Sequence, residues 1–136
     1  MIKATATFTP KGLLGRFIPA VITPAVTASV QAAVDQIKDT AKLYCPVDTG
    51  ALSDSITAEV NETGSTVRGT VGPHMFYADY VEYGTGRRGD PTAPYPHVES
   101  WPGMHAQAYM RPALDENKGS ILDLFRGNIS SAINNG

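Results

Sequence analysis

Residues 23–46 read TPAVTASVQAAVDQIKDTAKLYCP, and this one stretch governs how the rest of the chain can fold. Val26, Val30, Ala33, Ile37, Ala41 and Tyr44 recur three or four apart, so they share one face of an amphipathic helix, while Gln31, Asp35, Lys38 and Lys42 fall on the other. Thr23 offers a capping hydroxyl, Pro24 suits a first helical turn, and Pro46 ends the run. A helix with one apolar face needs a second layer to cover it.

That layer is written on both sides of the helix. Ile2, Ala4, Ala6 and Phe8 alternate with Lys3, Thr5, Thr7 and Thr9, the period of a half-buried strand, and Pro10 stops it. Ile56, Ala58 and Val60 alternate likewise, Asn61 to Gly64 are turn formers, and Val67, Gly69 and Val71 resume the alternation, which predicts a β-hairpin. Met75 to Tyr83 is aromatic and fits a short helix or a strand. From Gly84 to Gly103 the chain is dense in Gly, Pro and charge without an apolar period, a long loop of the kind that carries function or moves. A strand is expected around Ala106, Ala108 and Met110. Pro112 then opens a second helix bearing Leu114, Ile121, Leu122, Phe125, Ile129 and Ile133 on one side. Gly119 and Gly127 each cost that helix ~1 kcal/mol relative to Ala, so its stability must come from packing. The expectation is α+β: one domain over residues 1–136, a small and mainly antiparallel sheet packed against two long helices, with a long Gly/Pro-rich loop.

Composition narrows the function classes. At 136 residues and 42% hydrophobic, the chain suits one core that buries roughly two thirds of the unfolded surface. A net charge of −2 leaves no clustered basic footprint for gripping nucleic acid. The single cysteine, Cys45, has no internal partner for a disulfide and reads as a small packing residue in a reducing compartment. The N-terminus lacks a signal-peptide pattern, and no run approaches the ~20 apolar residues that cross a bilayer, so the chain is expected to fold in the cytosol without a membrane. Asn61 and Asn128 head glycosylation triplets that matter only in a secretory setting.

Chemistry-bearing motifs are few. Asp48-Thr49-Gly50-Ala51 matches the sequence that retroviral-type aspartic proteases carry, in which two subunits each contribute one carboxylate and the pair activates water. There the motif follows an apolar strand in an all-β dimer, whereas here it follows a helix, and Asp, Thr and Gly after a Pro equally make a turn. The structural turn is the reading preferred, with a dimeric protease using Asp48 as the alternative. His74, His97 and His105 match no zinc spacing. Arg88-Gly89-Asp90 spells an adhesion tripeptide, three residues that carry little information alone. Phosphate loops, Ser-His-Asp order cues and nucleophile elbows do not occur, so neither an enzyme nor a cofactor or metal site is expected.

Aromatics remain. Phe76, Tyr77, Tyr80, Tyr83, Tyr95, Trp101 and Tyr109 gather in or beside the long loop, where they serve either protein contact or the needs of a small core. Tyr77, Tyr80, Glu82, Tyr83, Arg87, Arg88, Trp101 and Arg111 are the interface candidates, and Glu82 with Arg111 forms a candidate pair pinning the two ends of the loop. The loop itself is expected to meet a neighbouring subunit and to move in the free protein.

Three blocks also match a known family. They are Cys45-Pro-Val-Asp-Thr-Gly-Ala-Leu-Ser-Asp-Ser-Ile56 after the first long helix, Tyr77-Ala-Asp-Tyr-Val-Glu-Tyr-Gly-Thr85, and Met110-Arg-Pro-Ala-Leu114 at the start of the last helix. In this order and at these separations they resemble the small tail-completion or neck proteins of long-tailed bacteriophages, minor components of the tail. The Thr-rich strand before Pro10 and the length of the loop Arg87 to Gly103 depart from that family's pattern. The resemblance implies a non-catalytic virion subunit without a cofactor, in a ring at the head-tail connector. Its implied partners are further copies of itself, a head-closure protein, and a tail terminator or tail tube, with genomic DNA passing through the lumen without sequence-specific binding. Six copies are expected, because tail tubes of this type are six-fold and a heterologous contact closes only for a matching rotation.

Overall fold

Val26, Val30, Ala33, Ile37 and Ala41 are all at most 3% exposed, so the apolar spacing of the first long helix is realised as the central face of the core. The computed structural model describes residues 3–8, 19–64 and 66–135. The element order is β1 (Ala4–Phe8), α1 (Pro19–Tyr44), α2 (Ala51–Asp54), β2 (Thr57–Thr63), β3 (Thr66–Gly72), α3 (Ala78–Tyr83), a 3-10 turn (Gly86–Arg88) and α4 (Met110–Asn135). Ile2, the stop at Pro10 and the side chain of Ile133 lie outside the described residues.

The α+β expectation holds: β1, β3 and β2 form a three-stranded antiparallel sheet in that order, with the hairpin β2–β3 pairing Thr57 to Gly72 and Thr63 to Thr66. α1 lies across all three strands, and α4 packs along α1. Gly69 lets the first of these contacts close, since a Cβ there would stand 2.5 Å from Val30 Cγ1 and 2.6 Å from Val34 Cγ1. Both valines are stiff at χ1 and have nowhere to turn. Gly69→Ala is therefore expected to cost ~1–3 kcal/mol by overpacking, read from urea unfolding, and a neutral result would mean that the helix can lift off the sheet freely.

Four sequence expectations need correction. The first helix is already under way at Pro19, so Pro24 lies inside it, beyond its first turn, where it has no N–H to give the carbonyl of Ala20. Tyr44, placed on the apolar face, is 40% exposed, and its hydroxyl donates to Glu116 at 2.6 Å. No strand forms around Ala106 and Ala108, which are exposed; only Thr85 and Met104 bridge, and α4 already starts at Met110. Leu122 does not join the buried stripe of α4 but is 56% exposed beside an apolar groove of 330 Å³ between β1, α1 and α4. The open question of Met75 to Tyr83 resolves as the short helix α3.

The long loop is tied at its base. Thr85 N–H donates to Met104 O at 2.8 Å, Met104 N–H donates back to Thr85 O at 3.0 Å, and Arg87 N–H donates to Trp101 O at 2.7 Å. Gly103, at φ +63, lies so close to the Thr85 carbonyl that any side chain would collide with it. Two backbone segments thus cross in contact, and residues between them are carried outward as one closed loop.

Candidate functional site

Glu82 lies on α3 and is fully buried, a position that a carboxylate tolerates only with its oxygens occupied. Its Oε2 accepts the N–H groups of Tyr109 at 2.8 Å and Met110 at 2.9 Å, and its Oε1 accepts the N–H of Arg111 at 3.0 Å. These are the free donors at the start of α4, so a side chain from another helix performs the capping that a local residue usually performs. Arg111 answers with Nε to Glu82 Oε1 at 3.0 Å and Nη2 to the Glu82 carbonyl at 3.0 Å. The expected pair forms, and its location is the interior rather than a subunit surface for Glu82.

Arg111 also reaches the loop. Its Nη1 donates to Asp90 Oδ2 at 2.9 Å, and its guanidinium carbon stands 4.2 Å from the centre of the Tyr83 ring, a cation–π contact. Asp90 Oδ1 accepts from Thr92 N–H at 2.8 Å and Thr92 Oγ1 at 2.6 Å. One arginine thus clamps α3, the loop and the start of α4. The sequence reading missed Asp90 as a partner, because Arg88-Gly89-Asp90 drew attention as a tripeptide; the Asp90-x-Thr92 spacing signals a local Asx turn but not the arginine.

The Thr92 hydroxyl, the Arg111 guanidinium and the Thr92 N–H hold the Asp90 carboxyl down at about 2. Its folded pKa lies below the unfolded value of about 3.9, so its contribution is fully present above that value and is lost as pH falls toward 2. Melting temperature should therefore fall more steeply from pH 4 to pH 2 in the native chain than in Asp90→Asn, by about that one group's titration. Parallel slopes would remove Asp90 from the clamp.

Around this clamp the aromatics divide. Tyr109 is fully buried, its hydroxyl donating to Ala78 O at 3.2 Å, and burial pushes its pKa up. Tyr95 donates to the carbonyls of Gly84 and Asp79 and packs its ring 5.0 Å from Tyr80. Tyr77 is half-buried, with Phe76 edge-on at 5.3 Å, and Tyr83 is half-buried beneath Arg111. Tyr80, Arg87, Arg88 and Trp101 are exposed. Of the interface candidates, then, those four are open to a partner as the chain stands.

Asp48, Thr49 and Gly50 form the turn between α1 and α2. Gly50 takes φ 85, and Thr49 Oγ1 accepts the Ala51 N–H at 3.3 Å. Asp48 is exposed and follows a helix in an α+β chain, whereas the motif of the protease alternative follows an apolar strand in an all-β dimer. The histidines do not converge: His74 meets Thr57 Oγ1 at 2.6 Å, His97 meets Glu99 at 2.9 Å, and His105 is exposed. Among the described residues no group of three or more His, Cys, Asp or Glu side chains is placed to hold a metal ion, and no helix is long and apolar enough to cross a membrane.

Residues 18–84 match the family model HK97-gp10_like, described as "Bacteriophage HK97-gp10, putative tail-component". They form an HK97-gp10-like segment. It covers just under half of the chain, running from the start of α1 through the Asp48 turn and the hairpin to Gly84 at the end of α3. Of the three blocks that carry the phage resemblance, Cys45 to Ile56 falls inside the HK97-gp10-like segment, Tyr77 to Thr85 falls inside it but for Thr85, and Met110 to Leu114 lies beyond it. No curated protein and no solved structure matches the chain. Glu82 belongs to the HK97-gp10-like segment, while Asp90 and Arg111 do not, so the clamp joins that segment to the loop and the last helix.

Proposed function

We propose that this chain is a structural subunit of the phage head-tail connector or tail-completion ring, acting by assembly and not by catalysis. The observation that carries this reading is the tail-component match over residues 18–84, which takes in α1, the sheet hairpin and α3. The clamp chemistry agrees with it: Glu82, Arg111 and Asp90 spend their polar atoms on one another and on backbone, an arrangement that holds shape and leaves no evident proton donor or acceptor for a substrate. The ring is six-fold, sits in the neck or tail of the virion, and meets a head-closure protein on one side and a tail terminator or tail tube on the other. Its lumen passes genomic DNA without reading sequence, consistent with a net charge of −2. A particle reconstruction of the phage that encodes the chain tests this: six-fold density that fits the chain between portal and tail tube is expected, and its absence from the virion would overturn the reading.

A further inference from the structure

A cleft of 470 Å³ opens between the turn after α1 and the α3 side of the molecule, walled by Val47, Leu52, Tyr77, Val81 and Met104. Its apolar surroundings stay uncovered, for Val47 is 74% exposed and the neighbouring Phe76 is 87% exposed. The cleft edge is acidic: Asp48 lines it, and Asp54 stands beside Gly50, its Oδ2 3.9 Å from where a Cβ on that glycine would lie. Neither carboxylate has a side-chain partner among the described residues.

The same chain carries the complement. Arg87 and Arg88 are exposed on the 3-10 turn and have no ion-pair partner among the described residues. The Arg87 N–H is bonded to the Trp101 carbonyl at 2.7 Å, which fixes the turn against a tryptophan that is 54% exposed. An aromatic flanked by two arginines is the composition of an interface anchor, and two guanidiniums suit two carboxylates across an apolar cleft.

We propose that the cleft edged by Asp48 and Asp54 on one copy receives the Trp101, Arg87 and Arg88 surface of the next copy. The inference rests on the ring reading above and names the contact that builds the ring. A ring requires each copy to use its cleft on one neighbour and its Trp101 surface on the other, so the contact is taken as head-to-tail, the kind that closes into a ring when its rotation permits.

The test uses two singly substituted chains in a Cys45→Ala background, one with Val47→Cys and one with Ser100→Cys, at exposed positions in the cleft and beside Trp101. Mixed, concentrated and oxidised, they should give a disulfide-linked pair holding one chain of each kind. Adding Asp48→Arg to the first chain should cut that product at least about tenfold, and Arg88→Asp on the second should restore it, the behaviour of a charge pair across a contact. Oligomers without the mixed product, or a product linking Val47→Cys chains to each other, would overturn this contact and leave the ring reading standing. A chain that stays monomeric at every concentration would overturn both.

Discussion

Glu82→Ala destabilises the chain by about 3–5 kcal/mol, because it leaves three N–H groups at the start of α4 and the inner side of the Arg111 guanidinium without their acceptor in the interior. Breaking a buried pair from one side costs more than the pair contributed, since the abandoned partner keeps its desolvation cost. The melting temperature should fall by more than about 10 °C. Glu82→Gln keeps the size and one acceptor oxygen but turns an amide N–H₂ toward donors, so it should recover only part of the loss. Arg111→Ala should cost less than Glu82→Ala, because its side chain is 36% exposed and water can replace part of what it gives. Urea unfolding orders the three variants; a loss below about 1 kcal/mol for Glu82→Ala would show that α4 begins without this cap.

The second large effect is at Gly103. Gly103→Ala must place a methyl group onto the Thr85 carbonyl and must also hold φ +63, so both the crossing of the loop's two stems and its local backbone are strained. Gly64 provides the control: it too has positive φ, at +59, but its missing Cβ would meet nothing within 4 Å. Gly64→Ala should therefore cost only the backbone strain, ~1 kcal/mol, while Gly103→Ala should cost ~3 kcal/mol or more. In hydrogen exchange the amides of Thr85, Arg87 and Met104 should lose protection in Gly103→Ala and keep it in Gly64→Ala. Equal costs would mean that the stems can part without consequence.

How much of this was readable beforehand follows from where each signal is stored. α1 and the hairpin were readable because their burial repeats locally: Val26 through Ala41 face one way, and Val67, Gly69 and Val71 face α1. α3 is six residues long, too short for a helical period to be told from a strand. The start of α4 was misplaced because its cap, Glu82, lies 27 positions before Tyr109, and cap rules look for a neighbour. The proline rule misled at Pro24, because a proline can also stand inside a helix at the loss of one hydrogen bond, and α1 is already helical at Pro19.

The site divides in the same way. Glu82 and Arg111 could be paired from sequence because they flank the two ends of one loop and carry opposite charge. Asp90 could not, since nothing local says that an arginine 21 positions onward needs a second carboxylate. The aromatic group held two answers at once: Tyr109 serves the core, while Trp101 and Tyr80 remain at the surface. A list of aromatics in a loop contains no information about which ring turns inward.

The central claim is that this chain joins parts of a phage particle. Its most direct test is to remove the chain from its phage and examine the lysate by electron microscopy. The account predicts DNA-filled heads and tails that remain unjoined or incomplete, with joining restored when the native chain is supplied from a plasmid. Intact, infectious virions in normal numbers without the chain would contradict it.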